Sequence, residues 1–201
     1  MAFDDNVFVN CPFDRGYFPL LRPLLFTILY LGLKPRIALE TIDSGEARLE
    51  KIVRLIRESR YSVHDLSRLK AELAGEFYRL NMPFEMGIDF GCRTFGRGPL
   101  RSKRTLVLEA DPHRYRTAVS DLSGCDIEAH EDTPLQVVVA VRKWLKNTCG
   151  RNAPGPAKIW GDFNDFMASN YDELKAEGFS DADIEGLAIP ELIERIENWL
   201  G

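Results

Sequence analysis

Apolar residues are spaced along this chain in two alternating rhythms. Asn6 to Cys11 carries Val7, Phe8 and Val9 in an unbroken run, the pattern of a central strand covered on both faces. Tyr17 to Leu31 is an apolar segment that ends at Gly32, which predicts a buried helix. Arg36 to Leu39 gives a second short strand. Glu46 to Glu58 predicts an amphipathic helix, with Leu49, Ile52, Val53 and Ile56 at i, i+3, i+4 and i+7. The same alternation continues with a strand at Tyr61 to Leu66, a helix opening at Asn81, and a strand at Thr105 to Leu108. A helix from about Pro112 to Leu122, a last strand at Asp126 to Ala129, and a closing helix marked by Val137, Val141, Trp144 and Leu145 complete it. Strands separated by helical segments of this length predict a parallel sheet of about five strands, with right-handed crossovers and helices on both faces. Residues 1–150 are therefore expected to form one α/β domain.

Asn152 to Pro156 interrupts the alternation, and beyond it the periodicity is wholly helical: Trp160, Phe163 and Met167, then Leu192, Ile196, Trp199 and Leu200. Ser180 is expected as an N-cap with Asp183 three residues on, flanked by Phe179 and Ile184 as a hydrophobic staple. Residues 151–201 are too rich in apolar and aromatic side chains to be disordered. They are expected to form a helical extension that folds back on the sheet domain or offers a partner surface.

Charge divides along the same boundary. Residues 155–201 hold 11 acidic side chains against Lys158, Lys175 and Arg195, a net of −8, whereas the preceding residues carry a net of +3. The overall charge of −5 argues against a nucleic-acid partner. Arg97 to Arg104 forms a basic cluster in a Gly- and Pro-containing loop, read first as solvated. No apolar run approaches the roughly 20 residues of a membrane span, and the acidic start MAFDDNVFVN is unlike a secretory signal. Cys11, Cys92, Cys125 and Cys149 are scattered without metal-type spacing, which suits reduced thiols in a cytoplasm and makes zinc an unexpected ligand. Neither a Walker-type phosphate loop nor a GxGxxG fingerprint is present.

Ser59 to Gly91 is where chemistry concentrates. Asp65 falls near the carboxyl end of its strand. Asn81 is expected to cap the following helix, with Pro83 in its first turn and Glu85 just inside, where the helix dipole would keep a carboxylate ionised. In an open parallel sheet the crevice beyond the strand ends is where ligands bind, so two carboxylates aimed there define a candidate site. Asp65 reads equally as a residue capping a loop. His64 alternates to the opposite face and reads as packed or hydrogen-bonded. Asn10 and Asp14 flank the first strand's exit, where Asp14 is also placed to cap the next helix. Cys11 reads as a small buried hydrophobe. Ser44, with Glu46 and Arg48, is placed to start the second helix and is kept as a ligand-binding candidate. Gly87 and Gly91, four apart, are expected to let their helix approach the sheet closely.

VFVNCPFD at the first strand, DSGEARLEKIVRLIRESR before the third, and HDLSR followed by NMPFEMG resemble bacterial TIR-like proteins. More broadly they resemble the superfamily that joins Toll/interleukin-1 receptor domains with nucleoside 2-deoxyribosyltransferases. Across about residues 5–148 the resemblance implies a flavodoxin-like sheet. It implies that Glu85, in its FEMG context, attacks or stabilises a ribosyl carbon, and that Asp65 matches the aspartate ending the third strand of the deoxyribosyltransferases. Pro12 and Phe13 match a loop lining the nucleoside pocket, with Asn10, Asp14, Ser44, Asn81 and Met82 as further ligand-binding candidates. The chain departs from animal TIR domains in having Asn81-Met82-Pro83-Phe84 before the glutamate where those have a Trp-Cys pair, and its Glu40 to Gly45 loop is short and acidic. The activity implied is hydrolysis or transfer at the N-glycosidic bond of NAD or a related nucleotide as substrate, with no separate cofactor, in bacterial defence or nucleotide metabolism. The alternative implied is a non-catalytic module that senses a nucleotide or pairs with a protein. A homo-oligomer is among the partners the resemblance implies, and no membrane partner is expected.

Overall fold

Three apolar side chains in a row place Asn6–Asn10 in the interior of the sheet, and all five of its residues are buried. The computed structural model describes residues 3–41, 43–69, 71 and 80–201. Its sheet is five-stranded and wholly parallel: β1 (Asn6–Asn10), β2 (Lys34–Ile37), β3 (Tyr61–Asp65), β4 (Arg104–Glu109) and β5 (Glu128–Ala129), in the order β2-β1-β3-β4-β5. In register, Val9 lies between Ile37 and Val63, and Asn10 lies beside His64. Pro35 sits in β2, an edge strand, where its missing N–H disturbs no second ladder. This is an α/β, flavodoxin-like fold, as the alternating rhythm predicts.

Alternation along β1 and β3 divides the core. Val7, Val9, Tyr61 and Val63 join α1 (Phe18–Tyr30) and α5 (Pro134–Cys149) on one face. Phe8 meets Ile52, Leu55 and Ile56 of α2 (Arg48–Arg57) on the other. There Met82 and Met86 of α3 (Asn81–Phe95) pack with Val107 and with Tyr115 of the four-residue α4 (Tyr115–Ala118). The chain runs outward from β1 to β2 and then back across to β3, so the topological switch, and the crevice it opens, lies between the carboxyl ends of β1 and β3.

Several local expectations are corrected. The helix expected over 112–122 is only α4 followed by a single 3-10 turn, Ser120–Leu122, because Val119 leaves the helical region between them and Ser120 and Asp121 favour turns. In α2 the buried stripe is Lys51, Ile52, Leu55 and Ile56, whereas Leu49 is 49% exposed and Val53 only half-buried. Lys51 lays its stem along the core while its ammonium donates to the Thr41 carbonyl at 3.0 Å. Gly87 does not sit against the sheet: it is exposed, and a Cβ there would meet nothing within 4 Å. The face of α3 turned inward is Met82, Glu85, Met86 and Asp89. Lys103, expected in a solvated cluster, is wholly buried. The loop between β3 and α3 and the Glu40 to Gly45 loop lie partly outside the described residues.

The carboxyl-terminal helices α6 (Pro156–Ala176), α7 (Asp181–Glu185) and α8 (Ile189–Leu200) cover the outer side of α1. Phe26 of α1 is the pivot, with ring centroids 5.5 Å from Phe163, 5.7 Å from Phe166 and 5.9 Å from Trp199. That second covering explains why α1 is apolar on more than one face, and Arg22 of α1 donates to the Glu185 carbonyl of α7 at 2.8 Å. Ser180 forms the expected capping box with Asp183, and Phe179 and Ile184 pack against the core. Among the described residues no helix is long and apolar enough to cross a membrane.

Candidate functional site

β1 ends in Asn10, and the chain leaves it through Cys11, Pro12, Phe13 and Asp14. Asn10 is 1% exposed, and its amide Nδ2 donates both to the Met82 carbonyl at 2.9 Å and to His64 Nδ1 at 3.0 Å. The Met82 carbonyl can only accept, so the amide orientation is fixed. His64 Nδ1 then accepts, its proton lies on Nε2, and Nε2 donates to Asp89 Oδ2 at 3.1 Å. Asp89 also receives Ser62 Oγ at 2.5 Å and pairs through Oδ1 with the Lys103 ammonium at 2.9 Å. Burial pushes the Asp89 carboxyl up, but His64, Lys103 and Ser62 outweigh it and hold it well below the usual carboxylate range. Asn10 thus ties the first turn of α3 to the end of β1, and a buried His–Asp–Lys chain holds Asn10.

Asp65, one residue on, faces the opposite helical layer and is fully buried. Tyr17 donates to its Oδ2 at 2.5 Å, His130 Nε2 approaches the same oxygen at 3.1 Å, and the Ser67 backbone N–H reaches Oδ1 at 2.8 Å. The Asp132 backbone N–H donates to His130 Nδ1, which leaves the ring's proton on Nε2, toward Asp65. Burial raises the Asp65 carboxyl, yet His130, Ser67 and Tyr17 bring it below its ordinary value. Burial and the adjacent Asp65 charge push the Tyr17 phenol well up, so it remains the donor. Both oxygens of Asp65 are engaged from within the protein.

Glu85 differs in every respect. Its residue is 5% exposed, and among the described residues its carboxyl makes no hydrogen bond or ion pair. The helix begins at Asn81 with no side-chain cap, so Asn81 is the first helical residue and not its N-cap, and Glu85 is the fifth, beyond the first turn. The helix dipole fades over that distance. Burial decides instead, pushing the carboxyl up to about 7 against the opposing charge of Arg48. Burial also pushes the Cys11 thiol well up, as do the charges of Asp65, Glu85 and Asp14. All three acids therefore lie around the exit of β1.

A cleft of about 510 Å³ opens at this edge, between Pro12, Phe13 and Asp14 of the β1 exit, Arg48 of α2, and Asn81 and Met82 of α3. Five of the residues expected at the site from the sequence line it. Asn10 lies buried beneath, holding Met82, and Glu85 follows one turn along α3. Ser44 is exposed in the turn before α2, is not a lining residue and does not cap the helix, whose preceding residue is Ala47. Arg48, which the sequence places only at the start of the second helix, lines the cleft. The order of the elements offers a signal for it, since the loop after β2 opens on the same edge as the exit of β1. His130 was equally legible as the residue directly after β5. Asn10 Oδ1 and Ser67 Oγ are buried polar atoms without a partner among the described residues, and they flank the switch point. No group of three or more His, Cys, Asp or Glu among the described residues is placed to hold a metal ion.

The fold and this edge define a doubly wound α/β protein in which the buried Glu85 carboxyl, beside the switch-point cleft, has no partner among the described residues. Comparison with protein-family models, with curated proteins and with solved structures yields no match.

Proposed function

We propose that this is a TIR-like nucleotide-processing protein that hydrolyses or transfers at the N-glycosidic bond of NAD or a related nucleotide, with Glu85 as the group facing the ribosyl carbon. The observation that carries this reading is Glu85 itself: a buried, partnerless carboxyl with a pKa of about 7 beside the switch-point cleft. Enzymes raise carboxyl pKa values in this way where the group must take part in chemistry. As the bond between C1′ and the nicotinamide nitrogen breaks, its electron pair neutralises the positive nitrogen, and C1′ becomes oxocarbenium-like. The Glu85 carboxylate stabilises that carbon or adds to it as an ester, and water or another acceptor then takes the ribosyl group and releases a proton. No acid is needed for a leaving group that is already cationic. This favours NAD over a neutral nucleoside, because Asp65 is ionised and committed internally and offers no second acid. We further read the protein as cytoplasmic, with its four free thiols reduced, and as acting in bacterial defence or nucleotide metabolism.

Chromatography of NAD and a nucleoside panel after incubation with the protein tests the reading. Nicotinamide should appear, at a rate that rises with pH through about 7 as Glu85 ionises, and Glu85→Gln should slow its release by about 10²-fold or more. Nucleotide binding without turnover, in monomer and assembled forms alike, would replace the enzyme with a non-catalytic sensing or interaction module.

A further inference from the structure

Arginines in this molecule mostly spend their guanidinium N–H groups internally. Arg36 and Arg54 bond glutamates, Arg142 bonds the carbonyls of Ala153 and Pro154, and Arg195 bonds Glu177. Arg48 does otherwise. Its guanidinium carbon lies 5.7 Å from the centroid of the Phe13 ring, and among the described residues it makes no hydrogen bond or ion pair. A cation–π contact of this kind spends none of the guanidinium's five N–H donors. Arg48 stands at the wall of the cleft that contains Pro12, Asn81 and Met82.

The charge around it has one sign to offer a ligand. Asp14, the lining acid, has the Arg68 guanidinium 3.8 Å away. Glu85 is only partly ionised near neutrality, and Asp65 is sealed from the cleft by its own partners. The unspent charge at the cleft wall is therefore positive, and a planar, bidentate fork matches the oxygens of a phosphate better than any neutral group of a nucleoside. We infer that Arg48 is the anion-binding residue of this cleft, and that its ligand is a nucleotide held by phosphate or pyrophosphate, not an unphosphorylated nucleoside. The inference rests on the nucleotide reading above for the identity of the ligand, but not on bond cleavage.

Calorimetric titration of the full chain with AMP, adenosine and inorganic pyrophosphate tests it. AMP should bind about tenfold or more tightly than adenosine, and pyrophosphate should compete with it. Arg48→Gln should abolish the preference, and Arg48→Lys, which keeps charge but loses the fork, should restore only part of it. Arg48 is exposed at the first position of α2, so both variants should keep the wild-type thermal midpoint. Equal binding of AMP and adenosine, a preference that survives Arg48→Gln, or no binding of any of the three overturns the assignment. The two proposals fail separately. A protein that keeps the AMP preference but releases no nicotinamide loses the glycosidase reading alone. One that releases nicotinamide with no phosphate preference loses the Arg48 site alone.

Discussion

Glu85 shows how much one carboxyl's surroundings matter. A first-turn position would have kept it ionised, and that was the expectation from NMPFEMG. The fifth position, buried and unpaired, does the reverse. The folded state then holds the Glu85 proton more tightly than the unfolded chain does, because its pKa rises from 4.5 to about 7. Stability contributed by this group therefore falls as pH rises from about 4.5 to about 7, and above that window the full cost of the buried charge is present. Allowing for the partial access of solvent to the carboxyl, that cost is on the order of 2 kcal/mol. Glu85→Gln should consequently raise the melting temperature at pH 8 and leave it unchanged near pH 4.5, which paired thermal melts would read. Identical pH dependence in the two proteins would mean that the carboxyl is solvated after all. Sequence alone placed this residue at the right edge of the sheet, but burial and partner choice, which set its chemistry, are three-dimensional properties.

At the scale of elements, β3 is the joint of the structure. His64 and Asp65 are consecutive, point to opposite faces, and each anchors a buried polar cluster, the first to α3 and β4 and the second to the β1 exit and the end of β5. Asp89→Ala should leave the buried Lys103 ammonium without its counter-charge, held only by the Ile56 and Ser59 carbonyls, and should cost about 3–5 kcal/mol, read by urea denaturation. A loss under 1 kcal/mol would show that Lys103 escapes to solvent. The rhythm of strands and helices was legible because long apolar runs are unambiguous about their own burial. The face of α2 was not, since Leu49 and Val53 fit the period as well as Leu55 does, and only the neighbouring Phe8 and Ala38 decide which stripe turns inward. α4 failed for a different reason: a run such as Tyr115 to Leu122 has the composition of a helix, and the departure of one residue, Val119, ends it. The pairing of Asp89 with Lys103 joins residues of two elements and leaves no mark in either segment's periodicity.

For the molecule as a whole, the acidic carboxyl-terminal helices are the second wall of α1. Ile159, Phe163, Phe166, Leu174, Leu192 and Ile196 are all buried in the same core as Leu24, Leu25 and Phe26. Full burial of each such side chain is worth about 1.5–3 kcal/mol, and the six together rival the 5–15 kcal/mol by which a typical domain is stable. Deleting residues 156–201 should therefore give an insoluble or molten chain, without near-ultraviolet circular dichroism. A soluble, cooperatively melting fragment would show that the sheet domain stands alone. The same arrangement sets a schedule during synthesis. α1 is synthesised well before its coverings, and Trp199 leaves the ribosome long after Phe26. At about 5–20 residues per second the nascent chain shows an uncovered Phe26 surface for roughly ten to thirty seconds. Until then, whatever in the cell attends to sticky newborn chains has a long greasy helix to hold.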